Sequence, residues 1–147
     1  MIVRAVILAT VLAAACASSA ARDADTIRVK TQRYAKLVAA MDERGIASMF
    51  ASDGEVDVPG RAPVRGPAEI EHFLAGFRNF HVLSEEMTTE SVTVSGPAAQ
   101  SSGTYRQRVR LPQGNVVEVH GTYIASWRRA PAGTNWLLEK ISTTPQR

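Results

Sequence analysis

The titratable side chains that could move a proton are His81, Asp53, Asp57, Glu85 and Glu86. His81 follows the last helical pattern and opens the first long strand, and an imidazole, which titrates near neutral pH, is a side chain that can act as a general base. Its bland alternative is a strand-entry residue bonded to the backbone. Asp57 alternates outward from Val56 and Val58, and Asp53 stands where a short helix stops, so both read as structural. Glu85 and Glu86 share a strand whose facing the pattern leaves open; if Glu86 points inward, it is the remaining acid. His72 lies off an apolar stripe and His120 shares a face with arginines, so the three histidines do not converge on a metal.

The elements that must position these groups follow from periodicity. Tyr34, Leu37, Val38 and Met41 fall at i, i+3, i+4 and i+7, one face of a helix beginning near Asp25 or Thr26 and ended by Gly45. Ile46, Met49 and Phe50 add one short helix that stops at Ser52-Asp53-Gly54. Val56 and Val58 mark a strand, Pro59-Gly60 a turn, and Ala62 and Val64 a short return strand. Gly66-Pro67 opens a helix with Glu69 at its positive end and an Ile70, Phe73, Leu74, Phe77 stripe. Four strands follow, over 81–94, 100–111, 116–129 and 135–143.

A hairpin through Pro112-Gln113-Gly114-Asn115 that sets apolar against apolar pairs Leu111 with Val117, Val109 with Val119 and Tyr105 with Tyr123. The opposite face pairs Arg110 with Glu118, Arg108 with His120 and Arg106 with Thr122. Tyr105, Tyr123 and Trp127 then look inward and the arginine row outward, onto a solvated face or a dimer contact. Helices first and antiparallel strands after argue an α+β domain.

The chain is 45% hydrophobic and 21% charged, with formal charge +3, a composition that suits one globular domain. Without Arg4, 16 Lys+Arg face 14 Asp+Glu, too small a surplus for nucleic acid. Met1 to Ala15 has an early positive charge, an apolar run and a small-residue end, the layout of a secretory signal, and is too short to span a bilayer. The lone Cys16 follows it. This resembles a bacterial lipoprotein signal, with Leu12 one position earlier than that pattern and Ala13 in its place, and implies a lipid on Cys16 facing the periplasm. Ordinary cleavage near Ala21 is the alternative, giving a periplasmic or secreted protein. Residues 1–21 are thus a signal and tether, 17–25 reads as flexible, and 26–147 is the domain. A single cysteine allows no internal disulfide.

Helix one, the short helix, FASDGEVDVPG, RG-P-x-x-I-x-x-F and four long strands together resemble the nuclear transport factor 2-like superfamily, in its SnoaL-like and ketosteroid isomerase-like branches. The resemblance covers about Thr26 to Thr143. It implies a cone-shaped fold, three N-terminal helices on the concave side of a strongly curved, mainly antiparallel sheet. It also makes core residues the wall of a pocket, namely Tyr34, Phe50, Val58, Phe73, Phe77, His81, Tyr105, Tyr123 and Trp127, beside Met87 and Trp136 in the core.

The isomerase branch uses a carboxylate base with an oxyanion hole of a tyrosine and a protonated acid. Gln32-Arg33-Tyr34 matches its tyrosine segment, but Val58 stands at the base position and Ala125 at the acid position. Valine takes no proton and alanine donates none, which argues against that isomerisation. The expectation is an exported pocket module, without cofactor or metal, that binds a small apolar or aromatic molecule or serves in assembly, with a homodimer as a possible form. The alternative is an acid/base enzyme of isomerase, dehydratase or cyclase type that uses His81 as base and Tyr34 as donor.

Overall fold

Strand and helix segments fall close to where periodicity sets them. The computed structural model describes residues 3–146, with side chains from residue 19 onward. The order is α1 (Val3–Ala40), α2 (Glu43–Ala47), β1 (Phe50–Asp57), β2 (Val64–Arg65), α3 (Pro67–Ala75), β3 (His81–Ser95), β4 (Ala98–Arg110), β5 (Val116–Arg129) and β6 (Trp136–Pro145). The strands form one curved sheet ordered β2-β1-β6-β5-β4-β3, antiparallel except for the parallel β1/β6 pair. The fold is the α+β domain expected from the pattern, in the cone form that the resemblance implies.

α1 begins well before Asp25. The stretch 17–25, small and polar enough to read as a tether, is helical. Asp23 explains the hold on its end, accepting a hydrogen bond from Arg129 Nη2 at 2.6 Å and one from Trp136 Nε1 at 3.2 Å. The Arg129 guanidinium also lies 4.6 Å from the centre of the Trp136 ring. Farther along, Ile27, Thr31 and Ala35 bury one helix face. The signal segment 1–15 and Cys16 lie outside the residues whose side chains are described. Among the described residues, no helix is long and apolar enough to cross a membrane.

The exit from α1 departs from the sequence reading. The helix ends at Ala40, Met41 takes a left-handed φ of 52°, and Gly45 lies inside α2, donating its N–H to the Asp42 cap at 2.8 Å. A side chain at Gly45 would collide with that Asp42 carboxylate. Phe50 to Asp53 belong to β1, not to the short helix. Glu55 ties three strands by ion pairs to Arg65 at 2.9 Å on β2 and to Lys140 at 2.8 Å on β6.

The β4/β5 hairpin has the expected faces and a different register. Arg106, Arg108 and Arg110 are exposed, while Tyr123 and Trp127 are buried. The pairs are Arg106 with His120, Arg108 with Glu118 and Val109 with Val117, two residues from the register argued above. A slip of two keeps every side chain on its face, so apolar matching alone does not separate the two. The turn separates them: Leu111 and Asn115 are hydrogen-bonded outside the ladder, and Gly114 donates to Leu111 O at 2.9 Å with φ 98°. The slip also sets a glycine opposite each tyrosine, Gly103 with Tyr123 and Gly121 with Tyr105.

Both glycines mark close backbone approaches. A Cβ at Gly103 would strike the Thr88 carbonyl, and one at Gly121 the Thr144 carbonyl. Backbone cannot swing aside as a side-chain end does, so Gly103→Ala and Gly121→Ala should each cost about 3 kcal/mol or more. Urea unfolding of each variant measures this; a loss under 1 kcal/mol would refute the reading.

Candidate functional site

A strand that alternates strictly cannot place both Val82 and Glu85 on one face, because they are three residues apart. In β3 they share the inner face. The ladder pairs Val82 with Val109 and Ser84 with Arg108, which leaves Leu83 as an extra residue, a β-bulge. Leu83 is 40% exposed. The inward phase then continues through Met87 and Thr89 until a second bulge between Thr89 and Ser91 shifts it to Val92 and Val94. Glu86, the acid favoured conditionally from sequence, is exposed, and Glu85 points in.

Two adjoining chambers open between this sheet face and the helices. The outer one, about 360 Å³, is walled by Ile46, Leu74, Phe77, Phe80, Val82 and Val109 among others. The inner one, about 290 Å³, is lined by Tyr34, Val58, Met87, Ile141 and Tyr105, with Glu85, Gln107 and Thr143 among its polar groups on the sheet. Val38, Gln107 and Val119 border both. Mostly apolar walls thus surround a small set of polar atoms, the usual build of a small-molecule site.

Glu85 dominates the inner chamber. Its Oε2 is buried without a hydrogen-bond partner. Burial pushes its carboxyl up to about 7, against a weaker opposing hydrogen bond from Gln107, its direct cross-strand neighbour. Tyr34 is pushed above its ordinary value by burial first and then by the charge of Glu85, and Tyr105 is raised by the same two causes in the same order. Both phenols therefore stay neutral at pH 7 and keep a proton to donate.

The other residues singled out from sequence divide clearly. Tyr34, Val58 and Tyr105 line the inner chamber and Phe77 the outer one. Phe73 packs edge-on to Phe77 at 5.3 Å, and Phe50 is buried edge-on to Tyr34 at 6.5 Å. Tyr123 and Trp127 are core: Tyr123 donates to Thr89 Oγ1 at 2.8 Å and Trp127 Nε1 to Ser101 Oγ at 2.9 Å. The space they share with Ala125 has no room for a bound molecule.

His81 is a correction. It is exposed and lines neither chamber, because Val82 takes the inward place and alternation turns His81 away. The His81–Tyr34 pair does not assemble. His72 and His120 are also exposed. Among the described residues, no group of three His, Cys, Asp or Glu side chains is placed to hold a metal. Asp53 pairs with Arg128, and Asp57 pairs with Lys140 at 3.3 Å.

The raised Glu85 carboxyl makes stability depend on pH in a fixed sense. Folding favours its protonated form, so its contribution is complete below about 4.5 and is lost as pH rises through about 7. Glu85→Gln lacks this loss. The variant should match the unmutated protein near pH 4 and exceed it by about 1–2 kcal/mol at pH 8, allowing for partial solvent access. Chemical denaturation at both pH values decides; an equal difference at both would show that Glu85 does not titrate as described.

The model of the SnoaL-like domain family matches residues 19–141. Among solved structures, a ketosteroid isomerase-like protein from Erwinia carotovora atroseptica superposes with TM-score 0.77 at 16% identity, over 85% of this chain and 97% of that one. An NTF2-like protein with a cystatin-like fold from Novosphingobium aromaticivorans gives 0.72 at 24%, over 91% and 87%. A conserved protein from Planctomyces limnophilus gives 0.69 at 24%, over 82% and 94%. At such identities the likeness speaks for the fold alone. No curated protein matches the sequence. The family match spans most of the chain and agrees with the cone-shaped sheet, so this chain belongs to the SnoaL-like domain family.

Proposed function

We propose that the cavity takes a small, mostly apolar or aromatic molecule carrying one carbonyl, and that Glu85 moves a proton on it. The carrying observation is Glu85 Oε2, buried and without a protein partner. An orphaned buried carboxyl oxygen is costly, and a ligand that meets it would offset the cost. A carboxyl that titrates near 7 is also matched to general base work at neutral pH.

In this reading the ionised Glu85 takes a proton from the carbon beside the carbonyl. The electron pair moves onto the carbonyl oxygen, where the neutral Tyr34 hydroxyl donates a hydrogen bond. Glu85 then returns the proton as the pair moves back from oxygen, to the same carbon or, where a C=C is conjugated with the enolate, to the far carbon of that double bond, and no other reactant is consumed. The carboxylate comes from β3, which reconciles an acid–base site with Val58 and Ala125 in the places where the ketosteroid isomerase-like branch has acids. Those two apolar residues are also what favours a second reading, binding without catalysis.

Exchange of the C1 protons of 2-tetralone in D2O, followed by proton NMR, separates the two. The rate should rise with pH and level off above about 7, the sign expected for an ionised base. Glu85→Gln should slow it at least ~100-fold and Tyr34→Phe by about 100-fold. Exchange by the unmutated protein no faster than by Glu85→Gln would remove the catalytic reading; tetralone-dependent shifts of the Tyr34 and Met87 resonances without exchange would support simple binding.

A further inference from the structure

The cavity uses the inner face of α1; the outer face carries a separate pattern. Between that face and β3 runs an open groove of about 560 Å³, and its polar side chains come from Arg28, Gln32, Arg33 and Lys36 on the helix and from two threonines on the strand. No acidic residue lines it. The nearest helical acid, Asp25, is exposed and pairs with Arg28 at 3.3 Å, a contact of little strength. Among the described residues, Arg33 and Lys36 form no ion pair. On the flank, Lys30 is held below its ordinary value by burial and then by the charge of Arg33, which shows how closely the cations crowd.

Val29 stands in the middle of this face, 69% exposed. Residues 29, 33 and 36 lie one helical turn apart on one stripe, so the valine is set among the cations. A valine ringed by cations contributes nothing to a helix facing water alone. It fits a helix lying in a bilayer interface, where apolar side chains enter the headgroup boundary and cations meet lipid phosphates. The chain's own layout points the same way. Cys16 lies seven residues before Asp23, which is fastened to Arg129 and Trp136. Seven helical residues rise only roughly 10 Å, and seven extended residues reach at most about 25 Å. A lipid on Cys16 would therefore hold α1 against the membrane.

We propose that the outer face of α1, with its groove against β3, docks onto an anionic phospholipid surface through Arg28, Arg33, Lys36 and Val29. This proposal is independent of the chemistry of the cavity.

The test uses the full chain carrying Cys16→Ser, so that no attached lipid contributes, in co-sedimentation with vesicles of phosphatidylcholine alone or with 30% phosphatidylglycerol, about a third of the lipid being anionic. The apolar segment before Cys16 is common to every sample, and the preference for the anionic vesicles reads the groove. That preference should fall about fivefold for each cation removed, vanish in Arg28→Glu/Arg33→Glu/Lys36→Glu, and survive in Arg28→Lys/Arg33→Lys. Val29→Asp should weaken binding with all cations in place, and high salt should abolish the preference. If the triple variant fails to fold by circular dichroism, Arg33→Glu and Lys36→Glu singly carry the test. Equal partition into both vesicle types, or a preference kept by the charge-reversed variants, would overturn the proposal. So would displacement by inorganic phosphate or by poly-glutamate well beyond that by sodium chloride at the same ionic strength, which would assign the groove to a small anion or an acidic polypeptide.

Discussion

One extra residue in β3 sets what the cavity contains. Without the bulge at Leu83, strict alternation from Val82 would turn Ser84 and Glu86 inward and put Glu85 in water. With it, Glu85 lies beside Gln107 and within electrostatic reach of Tyr34 and Tyr105. Bulges next to active sites commonly re-aim a side chain in this way. Here the re-aimed group is a carboxyl with an unpartnered oxygen, facing a mostly apolar enclosure.

The enclosure determines the character of that carboxyl. Met87, Val58, Ile141 and Val119 offer no charge to balance an anion, so desolvation outweighs the single amide contact from Gln107. The same desolvation keeps the phenols neutral. Proton acceptor and hydrogen-bond donors therefore share one chamber without forming an ion pair. Strong mutual pairing would tie up the groups; their present state leaves both open toward a third party.

Much of this architecture is legible in the residues. The helix opened by Gly66-Pro67, the four long strands and the outward row of Arg106, Arg108 and Arg110 all follow from spacing, because burial on one face imposes a period. Beyond the exit of α1 and the start of β1, three features do not follow. The β4/β5 register differs by two residues, a shift invisible to a two-residue period and settled by the turn and by the glycine–tyrosine pairs. The helical state of 17–25 depends on the contacts of Asp23 with residues more than a hundred positions away. The bulge at Leu83 has no local sequence mark, and this is why the inward place of Glu85, rather than Glu86, is not legible. Val58 and Tyr34 were placed by pattern; their partner in the chamber was not.

The parallel pairing of β1 with β6 bears on how the chain comes together. Glu55 to Asp57 align with Lys140 to Ser142, while the other neighbour of β1 is the two-residue β2. Every intervening strand must be ordered, or at least its loop closed, before β1 gains a long partner, and such distant pairing slows folding. β1, which leads directly into Val58, is thus completed by β6, a strand far later in the chain, and without β6 that side of β1 would be an open edge prone to pair with other molecules.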